Sequence, residues 1–275
     1  MVMSLLDAGL GAGLGAIVGL ILALTGAGGG ILAIPLLVWV LHLPLQTAAP
    51  IGLAAVGLAS AMGAAVGLRQ GVVRYRAAAL IGVTGMLFAP LGVTLAQRLP
   101  AQPLLLVFAS VMAWVGWRSL QPPKADEGAS ADAPYGQPPP PPCLVKADGR
   151  LDWTTPCARA LATTGAVSGL LSGLIGVGGG FVIVPALGHR TDLDLRQVQA
   201  TSLAVIALVS LSGVASAAWH GALDWALALP FALGAMLALL AGQRLALQLP
   251  AARLKQGFAW LTLAVAASLL FKALN

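Results

Sequence analysis

Charge is scarce in this sequence. Asp, Glu, Lys and Arg make up 9% of its 275 residues against 59% hydrophobic ones, and the mean hydropathy is +0.91. That balance excludes an ordinary soluble domain and points to an all-α polytopic membrane protein. Aromatic residues are also few, at 5%, and the small residues that replace them suit closely packed membrane helices. Cysteine is confined to Cys143 and Cys157. Their spacing matches no zinc or redox signature, so both are expected to be unpaired.

Acidic groups are missing from the middle of every apolar run. Asp126, Glu127, Asp132, Asp148 and Asp152 fall in a polar central segment, and Asp7, Asp192, Asp194 and Asp224 lie near run ends. A carboxylate proton relay of the usual kind is therefore unsupported. An intramembrane enzyme is unsupported too, because the runs hold no nucleophile with its base and no metal cluster. No catalytic residue, metal or cofactor is expected. His42, His189 and His220 sit at run boundaries and are read as interfacial residues. The amino terminus lacks a basic segment followed by a short apolar core and a cleavage site, so the first apolar segment is expected to stay in the mature protein. The net charge of +6 resides beside apolar runs, where cations set membrane orientation, and no nucleic-acid partner is expected.

What is present is a glycine run that occurs twice. Gly26-Ala27-Gly28-Gly29-Gly30, with Pro35 five residues on, returns as Gly176-Val177-Gly178-Gly179-Gly180 with Pro185. The same offset of 150 pairs Gly15 with Gly165, Gly19 with Gly169, Gly92 with Gly242, Pro100 with Pro250 and Phe108 with Phe258. An internal duplication follows, with a first transmembrane repeat over 1–120, a Pro-rich polar linker over 121–157 and a second transmembrane repeat over 158–275. Each repeat has a Gly-interrupted first segment, Ala8 to Leu43 or Ala158 to Leu187. Three spans follow it, near Ile51–Leu68, Ala77–Gln97 and Pro103–Leu120, then near Thr201–Ala218, Ala226–Leu247 and Arg253–Leu270. The interrupted segment is broken or re-entrant, and its length leaves one kinked crossing, a hairpin or two short spans open.

Positive charge chooses between parallel and inverted halves. If each interrupted segment returns to its starting side, every Lys and Arg except Arg98 and Lys272 falls on one face. The expected arrangement is thus a pair of inverted-topology repeats, with both termini outside and the linker in the cytoplasm, where Cys143 and Cys157 would stay reduced.

Consecutive glycines leave backbone amides bare, and the helix that restarts after them presents unsatisfied donors and a partial positive charge. An anion could be held there without a cation in lipid. The candidate substrate-binding residues are Thr25, Gly26, Gly28, Gly29, Gly30, Gly176, Gly178, Gly179, Gly180, Thr201 and Ser202. Thr201 and Ser202 open the span after the second break, whereas the positions 150 earlier, Ile51 and Gly52, lack hydroxyls. Ser60, Thr84, Ser168, Ser172, Ser210 and Ser212 are further hydroxyls in the spans, where Ser and Thr commonly bond their own helix.

A helix ending in Gly-x-Gly-Gly-Gly, a proline five residues on, its second copy and Ala200-Thr201-Ser202-Leu203 together resemble the TauE/SafE sulfite exporter family, also called the four-toluene sulfonate uptake permeases. The resemblance covers everything except the linker. It implies a multi-pass permease of the bacterial inner membrane for sulfite, thiosulfate or organosulfonates, working as a secondary transporter by alternating access. A passive anion channel and a permease for small carboxylates are the alternatives. Expected partners are a small anionic substrate and the lipid bilayer, with a coupling proton or ion and a homodimer left open.

Overall fold

The computed structural model describes residues 5–26, 29–120, 143, 153–246 and parts of 256–270. It is helical throughout these residues apart from turns and one isolated bridge. In chain order the helices are α1 (Leu5–Thr25), α2 (Gly29–Val40), α3 (Leu45–Arg69), α4 (Tyr75–Arg98), α5 (Ala101–Leu120), α6 (Thr155–Ile175), α7 (Gly180–Arg190), α8 (Leu195–Trp219) and α9 (Trp225–Ala246). The starts of α1, α3 and α4 recur 150 residues later in α6, α8 and α9. Among the described residues five helices, α3, α4, α6, α8 and α9, are long and apolar enough to cross a membrane.

Glycine rows set how closely these helices approach. A methyl group added at Gly15 would lie 2.0 Å from the Phe231 carbonyl oxygen, and one at Gly19 would lie 1.9 Å from that of Ala235, so α1 rests directly on the backbone of α9. Gly169 meets the Gly85 carbonyl oxygen at 2.2 Å and Gly173 that of Ala89 at 2.0 Å, which joins α6 to α4 in the same way. In lipid, where apolar burial gives no net drive, such close contact is what holds helices together. Gly169→Val is therefore expected to cost about 1–3 kcal/mol or more through overpacking. The check is a lower midpoint in thermal unfolding monitored by size-exclusion. Gly13→Ala, with no atom within 4 Å of the new methyl, should leave the midpoint unchanged or raise it.

Each interrupted segment has unequal arms. The first arms have 21 residues, and the second arms only 12 and 11. At 1.5 Å per residue α7 is about 16 Å long, well short of a bilayer core. It runs back along α6. A methyl at Gly179 would lie 2.7 Å from the Ser168 carbonyl oxygen, and at the far end the Arg190 guanidinium donates to Thr164 Oγ1 (2.9 Å), Thr163 Oγ1 (3.2 Å) and the Ala160 carbonyl. The second interrupted segment is thus a hairpin whose ends lie side by side.

Two expectations are corrected here. Cys143 and Cys157 are not unpaired but form a disulfide. Their 14-residue separation says nothing of this, because what brings them together is the return of α7 to the start of α6. Thr201 and Ser202 do not open their span. Helices α3 and α8 begin earlier, at Leu45 and Leu195, over polar residues such as Gln46, Arg196 and Gln199 that apolar counting leaves out. Pro35 and Pro185 lie beyond the first turn of α2 and α7, so the carbonyls of Ile31 and Phe181, four residues before, lose their usual helical donor.

Candidate functional site

Helix α6 stops because Gly176 takes a left-handed conformation, φ 76°, and returns its N–H to the Ser172 carbonyl at 2.7 Å. This is a standard glycine C-cap. Gly26, φ 72°, closes α1 by donating to the Leu22 carbonyl at 2.8 Å. The amides of Gly26 and Gly176 therefore serve their own helices and not a ligand. Thr25 also turns inward, its hydroxyl donating to the Ile21 carbonyl at 2.8 Å. Gly28 lies outside the described residues.

Past the cap, Gly178 and Gly179 stay left-handed, φ 75° and 69°, and α7 begins at Gly180. The N–H groups of Gly180 and Phe181, in its first turn, have no acceptor within the helix. The N–H groups of Gly178 and Gly179 have no backbone acceptor among the described residues. Gly29 and Gly30 are already helical, as the first residues of α2.

The two breaks touch. A methyl at Gly30 would lie 2.2 Å from the Val177 carbonyl oxygen, so the start of α2 lies against the gap between α6 and α7. A methyl at Gly178 would meet Ile206 Cγ2 at 2.9 Å and Val56 Cγ1 at 3.1 Å. Both residues are close to the middle of the 25-residue helices α3 and α8, which cross there. This crossing is tight because Gly57 leaves room for Ser210, whose Cβ lies 2.6 Å from where a methyl on Gly57 would be.

Four serines of α3, α6 and α8 stand out by their burial. Ser60, Ser172, Ser202 and Ser210 are all buried, and each Oγ lacks a hydrogen-bond partner. A buried hydroxyl without a partner costs about 1–3 kcal/mol and is uncommon in finished structures. Ser210 Oγ is 3.6 Å from the methyl position of Gly178. Of the predicted hydroxyls, Ser202 is in this group, while Thr201 Oγ1 accepts the Arg74 N–H at 3.1 Å and ties the α3–α4 turn to α8. The Arg74 Nε is itself buried without a partner.

Ser60, Ser172, Ser210, Arg74 and Gln199 are the residues that the sequence reading left out of the site. Ser60 and Ser210 carry a signal that would have found them, since they are the one serine pair in the spans related by the offset of 150. Gln199 has none. Its Cγ lies 2.5 Å from the methyl position of Gly26, a contact that corresponds, at the offset of 150, to that of Ala49 with Gly176. The two halves differ in hydroxyls, because Ser168, Ser172, Thr201 and Ser202 stand where the first half has Val18, Leu22, Ile51 and Gly52, while Thr25 stands where the second half has Ile175.

One cavity is a groove between helices, away from the break glycines, and a second reaches Gly176. The first, of about 670 Å³, is lined by α3, α4, α8 and α9, with Ala54, Gly57, Ala61, Leu208, Leu211 and Ser210 among its walls. The other, about 20 Å³, lies among Gln46, Gln97 and Gly176 and has room for a single water.

Similarity to known proteins agrees with this architecture. The family model described as Sulfite exporter TauE/SafE matches residues 11–269. A protein of Xylella fastidiosa (strain 9a5c) named as a probable membrane transporter protein is 31% identical over 218 residues, covering 78% of this chain and 75% of that one. Another of the same name, from Xylella fastidiosa (strain Temecula1 / ATCC 700964), is 29% identical over 259 residues, or 92% and 90% of the two chains. No solved structure matches. A helical protein whose described residues include five apolar helices long enough to span a bilayer, matched by this family over nearly its whole length, is a membrane transporter, and the chain belongs to the TauE/SafE sulfite exporter family.

Proposed function

We propose that the protein is a secondary transporter of small anions, sulfite, thiosulfate or organosulfonates, that works by alternating access around the two glycine breaks. The observation that carries this reading is the meeting of the breaks, Gly30 against Val177, beside the α3–α8 crossing where Ser60 and Ser210 hold unpartnered hydroxyls. Bare amides from Gly178 to Phe181 supply donors with a partial positive charge, and the serine hydroxyls complete an oxyanion's shell. Ser172 and Ser202 make the second half the more polar wall.

The same geometry supports inverted repeats. A hairpin that returns to its starting side reverses the direction of every span after it, and α1 pairs with α9 as α6 pairs with α4. On this reading the protein lies in the bacterial inner membrane with both ends outside and the linker in the cytoplasm. Transport consists of the two hairpins rocking against the α3–α8 pair, which opens the site to each side in turn. A homodimer and a coupling proton or ion belong to the same proposal as its open partners.

Thermal unfolding of the purified protein with sulfite, thiosulfate, sulfate, sulfoacetate and acetate tests it. A bound oxyanion at about a hundredfold excess over its Kd should raise the midpoint by about 5 °C or more. No rise with any sulfur oxyanion, or an equal rise with acetate, overturns the substrate class. Accumulation against a gradient in proteoliposomes separates a transporter from a channel.

A further inference from the structure

The Cys143–Cys157 disulfide fastens the open end of the α6–α7 hairpin. Both cysteines are fully buried. The Cys143 N–H donates to the Arg190 carbonyl at 3.1 Å, and Cys143 forms an isolated parallel bridge with Thr191, just where α7 ends. Cys157 belongs to the first turn of α6, its N–H donating to the N-cap Thr154 Oγ1 at 3.3 Å. The start of α6, the end of α7 and a residue from the central segment are thus joined at the opposite end of the hairpin from the glycine break. The first half lacks the residues for this, with Asp7, Val40 and Leu41 at the positions of Cys157, Arg190 and Thr191.

In the sequence Arg118, Lys124, Lys146, Arg150 and Arg159 flank this cysteine pair on both sides. Such a concentration of cations beside spans marks a cytoplasmic face. There, cellular dithiols reduce structural disulfides, and those that form are redox-sensing or catalytic. On the topology proposed above, two sulfurs in bonding position lie on the face where the bond does not persist by default. We propose that Cys143 and Cys157 are a reversible thiol–disulfide pair that holds the α6–α7 hairpin rigid when oxidised and frees it when reduced. The consequence for transport rests on the reading above that the hairpins move.

The exchange balances with a dithiol as reductant. Its thiolate attacks Cys143 Sγ, the S–S bond breaks, and the electron pair leaves on Cys157 Sγ, where the first-turn amides of α6 favour an anionic sulfur. The second thiol of the reductant resolves the mixed disulfide. The protein gains two electrons and two protons, and the dithiol becomes a disulfide. The backbone pairing of Cys143 with the end of α7 is the contact whose local detachment would expose it. Once it is freed, α7, a short rod with Gly180 at its other end, loses its covalent anchor.

Three readouts test this on the full-length protein. Maleimide labelling in intact cells should find both thiols free at rest and protected after diamide. Hydrogen exchange of residues 180–191 in the purified protein should quicken on reduction with dithiothreitol, and the C143S/C157S variant should exchange like the reduced protein in either condition. Sulfite uptake into proteoliposomes should be slower in the oxidised state by about fivefold or more and insensitive to redox state in the variant. A pair that stays bonded in resting cells, hydrogen exchange unchanged by reduction, or equal uptake in both states overturns the proposal. If neither state takes up sulfite, the substrate reading fails, and labelling and exchange still decide the switch.

Discussion

Replacing Ser60 and Ser210 together with alanine is expected to lower anion transport by about 100-fold or more, because two hydrogen bonds to a charged group are each worth about 1.5–3 kcal/mol. The same double variant should be as stable as the parent or more so. Both hydroxyls are buried without partners in the empty protein, so their removal relieves a desolvation cost while leaving small side chains to pack against Gly57 and its surroundings. Loss of function with no loss of stability is the signature of a group held ready for a ligand. A serine that merely glues helices gives the reverse. Ser110→Ala serves as the control, since that hydroxyl donates to its own helix at the Leu106 carbonyl, 2.8 Å away, and its removal should change uptake by less than about twofold. Measuring initial uptake and the unfolding midpoint on the same preparations decides the matter. Uptake at the parent's rate in the double variant removes these two serines from the site.

Much of this site was legible before any coordinates, and the parts that were not have physical reasons. A run such as Gly26 to Gly30 cannot continue a helix, and glycine's tolerance of positive φ tells where a chain can reverse, so the neighbourhood of both breaks could be located from residues alone. Which glycine does what could not. Gly26 and Gly176 cap helices, Gly178 and Gly179 carry the reversal, and Gly29 and Gly30 already belong to α2, a division of labour that depends on where each amide finds an acceptor. Hydropathy located α3, α4, α8 and α9 but cut α3 and α8 short, because Gln46, Arg196 and Gln199 are polar yet helical, and the expected span Arg253–Leu270 lies largely outside the described residues. Ser60 and Ser210 look like any serine in a span until burial shows that neither bonds its own helix. The disulfide was hidden for a similar reason, since its partners meet only after α7 has folded back to the first turns of α6.

Gly30→Ala is expected to abolish transport, and the reason is a single distance. The new methyl would lie 2.2 Å from the Val177 carbonyl oxygen, less than any carbon and oxygen tolerate, and the obstruction is backbone on both sides. No rotamer change relieves it, so α2 must move away from the α6–α7 gap and the two breaks separate. An anion that needs donors from both halves then finds them too far apart, and a shift of about 1 Å is enough to cost a hundredfold in a preorganised site. Overpacking by itself costs about 1–3 kcal/mol, so loss of folded protein has to be distinguished from loss of the site. Gly169→Val provides the comparison. It introduces a clash of the same size, 2.2 Å from the Gly85 carbonyl oxygen, but in the α4–α6 seam and not between the breaks. With uptake expressed per folded protein, the Gly169 variant should retain most of its activity while the Gly30 variant has none. Gly178→Ala should fall between them, its methyl meeting the movable side chains of Ile206 and Val56 at 2.9 and 3.1 Å but forced into a left-handed backbone that costs about 1 kcal/mol or more. Normal uptake by the Gly30 variant would mean that the contact between the breaks plays no part in transport, and the anion would then have to be held within one half.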